Sequence, residues 1–446
     1  MKPRPEIPGG PYLVVGLARS GASAALALRA RGEQVIGLDA GSPAGAEALR
    51  DAGVRLHLDE RDGATLLEGV RALVKSPGVP AQAPAIATAR ERGMPVLGEL
   101  ELAWRLLAND FIAVTGTNGK TTTVELIGHI HREAGLPVAV AGNVGTAASS
   151  LVGSLEERAT IVCEASSFQL EDTLEFAPEA AVLLNVSPDH LDRHGTLEAY
   201  LEAKLEVFAR QDERDVAVAP SELLERVGRG VGRGRLVDFG WSSSAAMFER
   251  DGQLWWRDEL LIALSEMRLR GRHNAENAMA AAAVCLARGI DGEAVRAGLR
   301  SFAGVAHRLE EVATLAGVLY VNDSKATNVA STIVALRAFA GRPVHLILGG
   351  QGKGQDFGAL REAVERGCAA VYLIGEDGPA IAGSLAGSET PVHECAQIGR
   401  ALDAARAAAG AGDVVLLSPA CASFDQFSDF EARGERFRAL VGKMEA

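Results

Sequence analysis

Cysteine is scarce: there are five in 446 residues, at positions 163, 285, 368, 395 and 421. They are odd in number and scattered, and no pair has CxxC spacing. That argues against a disulfide framework or a zinc site and for free thiols in the cytosol. Long apolar runs are also missing. None approaches the roughly 18 residues of a membrane span, so none is expected. The opening MKPRPEIPGGPYLVVG has no apolar stretch of signal-peptide length, so no leader is expected either. Positive charge is in deficit. The net charge of −13 argues against a nucleic-acid partner, whose phosphates need a basic face. No Ser-His-Asp or Cys-His constellation compels a protein nucleophile. What remains, 48% hydrophobic and 23% charged residues, is ordinary for a globular chain long enough for two to four domains.

The chain is organised around IAVTGTNGKTTT. An apolar strand, Phe111–Val114, breaks into a tight turn with Gly116 and Gly119. Lys120 and three threonines follow, then a helix from Val124 to Ala134. Glycines let backbone N–H groups approach an anion, the helix start adds a positive end, Lys120 adds a full charge, and Thr121 suits Mg²⁺. The loop, Gly116-Thr117-Asn118-Gly119-Lys120-Thr121, is one residue shorter than the strict P-loop.

Before it lies a Rossmann-type unit: a strand at Tyr12–Val15, the turn Gly16-Leu-Ala-Arg19-Ser20-Gly21, a helix to Ala30, and a second strand ending at Asp39. Ala18 stands where the second glycine of GxGxxG belongs, which weakens a NAD reading. A nucleotide meeting Arg19, Ser20 and Asp39 and a tight turn without a ligand both stay open. A strand at Ala72–Lys75 closes on Ser76-Pro77-Gly78-Val79-Pro80. Glu99–Leu107 reads as a helix leading into the central domain.

After the phosphate loop, His129 and His131 are two apart and share no helix face, so both are expected at the surface or rim. Three further strands end in ligand-type residues: Gly142-Asn143 after the first, Glu164-Ala-Ser166 after the second, and Asp189-His190 after the third. Parallel sheets bind at the carboxyl ends of their strands, so Lys120, Thr121, Glu164 and His190 should converge on one phosphate–metal site. Thr196–Gln211 reads as an amphipathic helix with Leu197, Leu201, Leu205 and Phe208 as its stripe. Lys204 falls on that stripe, where a bare ammonium is costly unless it snorkels to an edge. Residues 212–270 alternate short strands and turns and hold three of the four tryptophans. Asn274 and Asn277 then present two amides near the start of an alanine-rich helix, and an N-cap role for Asn274 stays open. Beyond a boundary at 302–308, a third α/β domain repeats the pattern, with polar clusters at Asn322–Asn328, Gly349–Asp356 and Ser418–Phe427.

GTNGKTTT, the Glu164–Gln169 run, Asp189-His190-Leu-Asp192, HNAEN, DSKATN and SPACASFDQF together resemble the Mur ligases, over essentially the whole chain. The resemblance implies an α/β protein of three domains: a Rossmann-like UDP-substrate domain (1–98), a P-loop-type ATPase domain (99–304) and a Rossmann-like amino-acid domain (305–446). Within that family the residues look most like the members that add D-glutamate to UDP-N-acetylmuramoyl-L-alanine through an acyl phosphate. Arg19, Ser20, Asp39 and Gly78 would hold the UDP part, while Asn143, Ser166 and His190 would face the muramoyl-alanine end. Gly116, Thr117, Asn118, Gly119, Lys120, Thr121, Thr122, Asn274, Asn277, Arg308 and Asp323 would meet ATP. Thr121, Glu164, His190 and Lys204, the last as a CO₂-derived carbamate, would serve two Mg²⁺ ions. Lys325, Thr327, Lys353, Ser423, Phe424 and Phe430 would surround the glutamate. Lys120, Glu164, His190, Lys204 and Lys325 would carry the catalysis, in a cytoplasmic monomer. The rival readings are a nicotinamide-dependent oxidoreductase, a P-loop switch without an acceptor, and a sibling ligase for another amino acid or a folate.

Overall fold

The computed structural model describes residues 2–444 apart from 44, 231, 270 and 353, with backbone alone at 192, 229 and 230. It divides into two compact units, Met1–Phe302 and Ala303–Ala446. The first unit holds two sheets. One comprises β1 (Tyr12–Val15), β2 (Val35–Leu38), β3 (Arg55–His57), β4 (Ala72–Lys75) and β5 (Val96–Gly98), all parallel, in the order β3-β2-β1-β4-β5. Its central strands read as unbroken apolar runs because helices cover both faces. Tyr12 and Val14 join one core with Leu28 and Leu97, and Leu13 and Val15 join another with Ile86 and Leu73. Each such side chain contributes roughly 1.5–3 kcal/mol by leaving water. The strand order reverses between β1 and β4, so the turns that follow those two strands flank the crevice where such sheets take ligands.

The second sheet has nine strands: β6 (Phe111–Thr115), β7 (Val138–Gly142), β8 (Thr160–Glu164), β9 (Ala180–Leu183), β10 (Val216–Pro220), β11 (Arg235–Gly240), β12 (Met247–Arg250), β13 (Gln253–Trp256) and β14 (Glu259–Ala263). Their order is β14-β13-β12-β11-β10-β9-β6-β8-β7. Residues 212–270 therefore extend the central sheet, by parallel strands through β12 and antiparallel ones after it. Two of their tryptophans lie in this extension: Trp255 stacks on Phe248 at 6.3 Å, and Trp256 carries the Arg257 guanidinium at 5.1 Å.

Helices depart from the sequence expectation at three points. The phosphate-loop helix spans Lys120–Glu133, starting four residues earlier than its apolar pattern suggested, because its first turn is the anion-facing polar one. His131 is buried, with Nδ1 2.8 Å from the Ile127 carbonyl, so it is not a rim residue. The helix expected over Thr196–Gln211 is only Leu197–Leu205, capped by the Thr196 hydroxyl. Its first stripe residue, Leu197, is exposed, while Tyr200, Ala203 and Lys204 are buried.

The two sheets of this unit are joined by buried charge. Lys75, at the end of β4 and fully buried, pairs with Asp172 at 2.5 Å, and Arg90 reaches the same carboxylate at 3.3 Å. Burial pulls the Lys75 ammonium below the usual lysine range, and Asp172 opposes that shift. The Gly98 N–H donates to the Asp172 carbonyl at 3.0 Å. In the helix Glu99–Leu106, Glu101 accepts from the backbone N–H groups of Leu174, Glu175 and Phe176. Arg4 lies 4.5 Å over the Trp104 ring and pairs with Glu179.

The second unit is one six-stranded sheet of β15 (Glu310–Leu315), β16 (Val318–Asn322), β17 (Val344–Gly349), β18 (Cys368–Ile374), β19 (Val392–Ala396) and β20 (Val414–Leu417). The order is β15-β16-β20-β17-β18-β19, parallel except for β15. All three sheets are thus of the α/β class the sequence implied. No helix of the described residues is long and apolar enough to cross a membrane.

Removing one member of a buried ion pair strands the other charge. We expect Lys75→Met to cost about 3–5 kcal/mol, seen in calorimetry as a lowered melting temperature. Lys75→Met combined with Asp172→Leu should recover most of it. An unchanged melting temperature in the single variant would remove this pair from the list of what holds the two sheets together.

Candidate active site

The turn after β6 is shaped by two glycines at positive φ, Gly116 at 150° and Gly119 at 85°. A Cβ on Gly119 would run into Asn277 Oδ1, so the phosphate loop and the helix Arg272–Ala287 touch at this point. That helix starts after Gly271, so Asn274 lies inside its first turn and is not the N-cap. Asn277 Nδ2 lies 3.4 Å from Asn274 Oδ1. The loop is braced from the other side by the residues after β9. Asn185 Oδ1 accepts from the Asn118 N–H at 2.9 Å, and Thr117 Oγ1 accepts from the Ser187 N–H at 3.0 Å.

At the first turn of the phosphate-loop helix, Thr121 Oγ1 donates to Glu164 Oε2 at 2.8 Å. Asn143 Nδ2 donates to Glu164 Oε1 at 3.0 Å. Three strand ends, those of β6, β7 and β8, thereby meet at one carboxylate. Thr122 is half-buried beside them. Lys120 Nζ donates to the Gly116 and Thr117 carbonyls at 2.8 and 2.9 Å. Lys204 Nζ, on its own helix, donates to that same Gly116 carbonyl at 2.8 Å and lies 4.2 Å over the Tyr200 ring. Lys204 does not snorkel; it is 1% exposed. Burial, and secondarily the neighbouring Lys120 charge, push its ammonium down to about 7, with Asp189 opposing.

His190 borders this cluster through Tyr200, whose ring it meets edge-on at 6.2 Å and over which Lys204 lies. It has a φ of 51°, its side chain is about half exposed, and its ring lies 4.9 Å from Phe168. Among the described residues no three His, Cys, Asp or Glu side chains come together as a metal cage. One carboxylate beside a hydroxyl nevertheless fits Mg²⁺, which takes one or two carboxylates and fills its remaining positions with phosphate oxygens and water.

In the first sheet, Asp39 accepts from the Leu17 N–H at 2.6 Å and the Gly41 N–H at 2.9 Å, which draws the turn after β1 towards the end of β2. Arg19 reaches out to the Gly145 carbonyl at 2.8 Å, Ser20 is half-buried, and Gly78 is exposed on the turn after β4. Gly21 packs against the Gly16 carbonyl with no space for a Cβ, whereas Ala18 is exposed, so the departure from GxGxxG falls where this fold tolerates a methyl. Ser166 is the N-cap of a short helix and forms a capping box with Gln169.

In the second unit, Asp323 accepts from Ser418 Oγ at 2.7 Å and from the Leu309 N–H at 3.2 Å. Burial raises its carboxyl to about 6, and the nearby exposed Arg308 works against that. Lys325 Nζ lies 5.9 Å over the Phe430 ring; Thr327 is half-buried, Ser423 buried and Phe424 exposed. Lys353 lies outside the described residues. Two residues that sequence reasoning missed organise this cluster. Arg433, fully buried, donates to Ser324 Oγ and to the carbonyls of Ser324, Cys421 and Ala422. Burial lowers its guanidinium to about 10. His307 bonds Asn322 at 2.9 Å and meets Phe430 edge-on. The one available signal was helical spacing, which puts Arg433 one turn beyond Phe430.

Comparison with known proteins covers nearly the whole chain. The MurD-like N-terminal domain of Mur ligases matches residues 11–98, the Mur ligase middle domain 114–285, and the Mur ligase glutamate ligase domain 307–421. A UDP-N-acetylmuramoylalanine--D-glutamate ligase from Anaeromyxobacter dehalogenans is 45% identical over 98% of both chains. One of the same name from Acidobacterium capsulatum is 42% identical over 98% of this chain and 97% of its own. Among solved structures, a UDP-N-acetylmuramate-alanine ligase from Thermotoga maritima superposes with a TM-score of 0.60 at 19% identity, covering 98% of this chain and 100% of that one. At that identity the likeness concerns the fold.

The contact between Gly119 and Asn277 makes a sharp test. Gly119→Ala places a methyl against the amide at a φ that side chains rarely adopt. We expect it to weaken ATP binding at least about tenfold, a loss of roughly 1.4 kcal/mol, measured by titration calorimetry below the variant's melting temperature, which the strained φ should lower. Unaltered affinity would mean that the loop does not cradle phosphate.

Proposed function

This chain belongs to the Mur ligase family, and from that premise we propose that it joins D-glutamate to the L-alanine carboxylate of UDP-N-acetylmuramoyl-L-alanine, with ATP consumed, in peptidoglycan precursor synthesis. The observation that carries the reading is the convergence of Lys120, Thr121, Glu164 and Lys204 on one phosphate loop, in a chain 45% identical to a ligase of that name. We take 1–98 as the UDP-substrate domain, 99–304 as the ATPase domain and 305–446 as the amino-acid domain. The reaction is assigned to the cytoplasm, where ATP is available.

A carboxylate is a poor electrophile, so it needs phosphate as its leaving group. Bringing it to ATP sets anion against anion. Lys120 offsets the β/γ-phosphate charge, and the positive end of the helix Lys120–Glu133 orients the chain of phosphates. Thr121, Glu164 and His190 would hold Mg²⁺, with a carbamate on Lys204 at a second site. When bound, the metal supplies charge neutralisation and a template for the transferring oxygens. Asn143 and Ser166 would face the muramoyl-alanine end. In the second unit, Lys325 beside Phe430, with Thr327, Lys353, Ser423 and Phe424, would grip the carboxylates of the incoming glutamate. The amine attacks the acyl phosphate carbonyl, and phosphate leaves as the amide forms.

ADP release should require all three of UDP-N-acetylmuramoyl-L-alanine, D-glutamate and Mg²⁺, and Lys120→Ala should abolish it. Equal turnover without the amino acid would favour a P-loop switch, and turnover with another acceptor a sibling ligase. The carbamate has its own readout. A neutral Lys204 amine attacks CO₂, and neutrality is gained as pH rises through about 7. In ¹³C-bicarbonate, a carbamate resonance should therefore grow over that range and be absent in Lys204→Arg, whose guanidinium stays cationic. Full activity in Lys204→Arg would refute it.

A further inference from the structure

One side chain links the turn after β4 to the metal-facing loop after β9. Arg193 Nη1 makes a long contact, 3.4 Å, with the Pro77 carbonyl, beside Gly78. Its Nη2 donates to Glu171 Oε2 at 3.1 Å. The guanidinium carbon lies 3.9 Å from the centre of the Phe168 ring, and that ring also meets His190 at 4.9 Å and His194 at 5.5 Å. His194 is itself gripped, by Ser167 Oγ at 3.0 Å and Glu171 Oε1 at 3.2 Å. Glu171 is followed in sequence by Asp172, which receives buried Lys75 at the base of the same β4 turn. Two adjacent carboxylates thus hold, respectively, the metal-facing loop and the first sheet.

We propose that Arg193 is a positioning residue that couples occupancy of the uridine-diphosphate turn at Ser76–Pro80 to the order of the loop carrying His190. The inference rests on the reading of the first domain as a UDP binder. A ligand settling on the exposed Gly78 turn fixes the Pro77 carbonyl. That carbonyl then holds Arg193, and the stacked guanidinium presses Phe168 against the imidazole of His190. At its far end the loop is anchored by the His194 bonds to Ser167 and Glu171 and by Tyr200, whose ring meets His194 at 5.0 Å and His190 at 6.2 Å; Arg193 is the tie that runs to the first sheet. His190 carries a positive φ, and the helix Leu191–His194 is a single turn whose amides bond only to His190 and Leu191. The uridine-diphosphate part of the first substrate would thereby organise a metal ligand that only the muramoyl-alanine end approaches. Such an effect requires a differential contact in the two states, and the Pro77–Arg193 bond is the contact named here.

The probe is UDP alone, which lacks the muramoyl-alanine end and cannot reach the metal site. Amide hydrogen exchange on the full chain, without metal, should slow both at residues 76–79 and at 191–195 when UDP is added, the second by about fivefold or more. Arg193→Lys keeps the charge but not the planar fork or the stack, and Phe168→Leu removes the ring. Each should retain the protection at 76–79 and lose it at 191–195. Protection confined to 76–79 in the wild type, or transmitted equally well in both variants, overturns the coupling. Absence of protection anywhere overturns the UDP reading itself, and the coupling with it.

Discussion

A single carbonyl oxygen, that of Gly116, receives the ammonium groups of both Lys120 and Lys204, each at 2.8 Å. A carbonyl has two lone pairs, so it can accept both, but two like charges at one oxygen repel. Part of the depression of Lys204 is owed to Lys120 for this reason. The arrangement requires Gly116 itself. At a φ of 150° a side chain is disfavoured, and a Cβ would press on Leu184 and Asn185 at 3.0–3.4 Å. The Gly116 carbonyl thus ties the helix Leu197–Leu205 to the phosphate loop, and Thr117 and Asn118 tie that loop to the one after β9.

Much of this was legible in the amino-acid order, for a physical reason. Strands buried on both faces are written as unbroken apolar runs, and the residue that ends such a run marks the rim where ligands bind. That logic located Thr121, Glu164 and Asn143 at neighbouring strand ends, where the structure joins them by hydrogen bonds. Lys204 was legible as a charge on an apolar stripe. The relation of Gly119 to Asn277 was not, because their contact depends on how two helices pack and not on any local pattern.

What stayed hidden is of two kinds. Some residues obey a local rule and are then overruled by packing. His131 shares no face with His129, yet it is buried, with its ring nitrogen turned back onto a carbonyl of its own helix. Leu197 fits the apolar stripe but lies on the exposed first turn. Others have partners far away in the chain. Lys75 reads as the polar end of a strand and is fully buried because Asp172, 97 residues on, meets it. Residues 212–270 looked irregular since each strand is short, and only pairing onto β9 gives them a common purpose.

The burial of Arg433 has a consequence for how this enzyme can vary over evolutionary time. Its guanidinium bonds the hydroxyl and carbonyl of Ser324 and the carbonyls of Cys421 and Ala422. Apart from that hydroxyl these are backbone groups, so the contact fixes the path of the chain, while the side chains at 421 and 422 are constrained separately, by their own burial. A lysine offers a point charge without the fork needed to span both segments. Insertions, deletions or shifts of register in either loop would strand a buried cation, and a change in one would have to be answered in the other. The two segments, about a hundred residues apart in the chain, are bound to a shared history: they drift together, or they stay as they are.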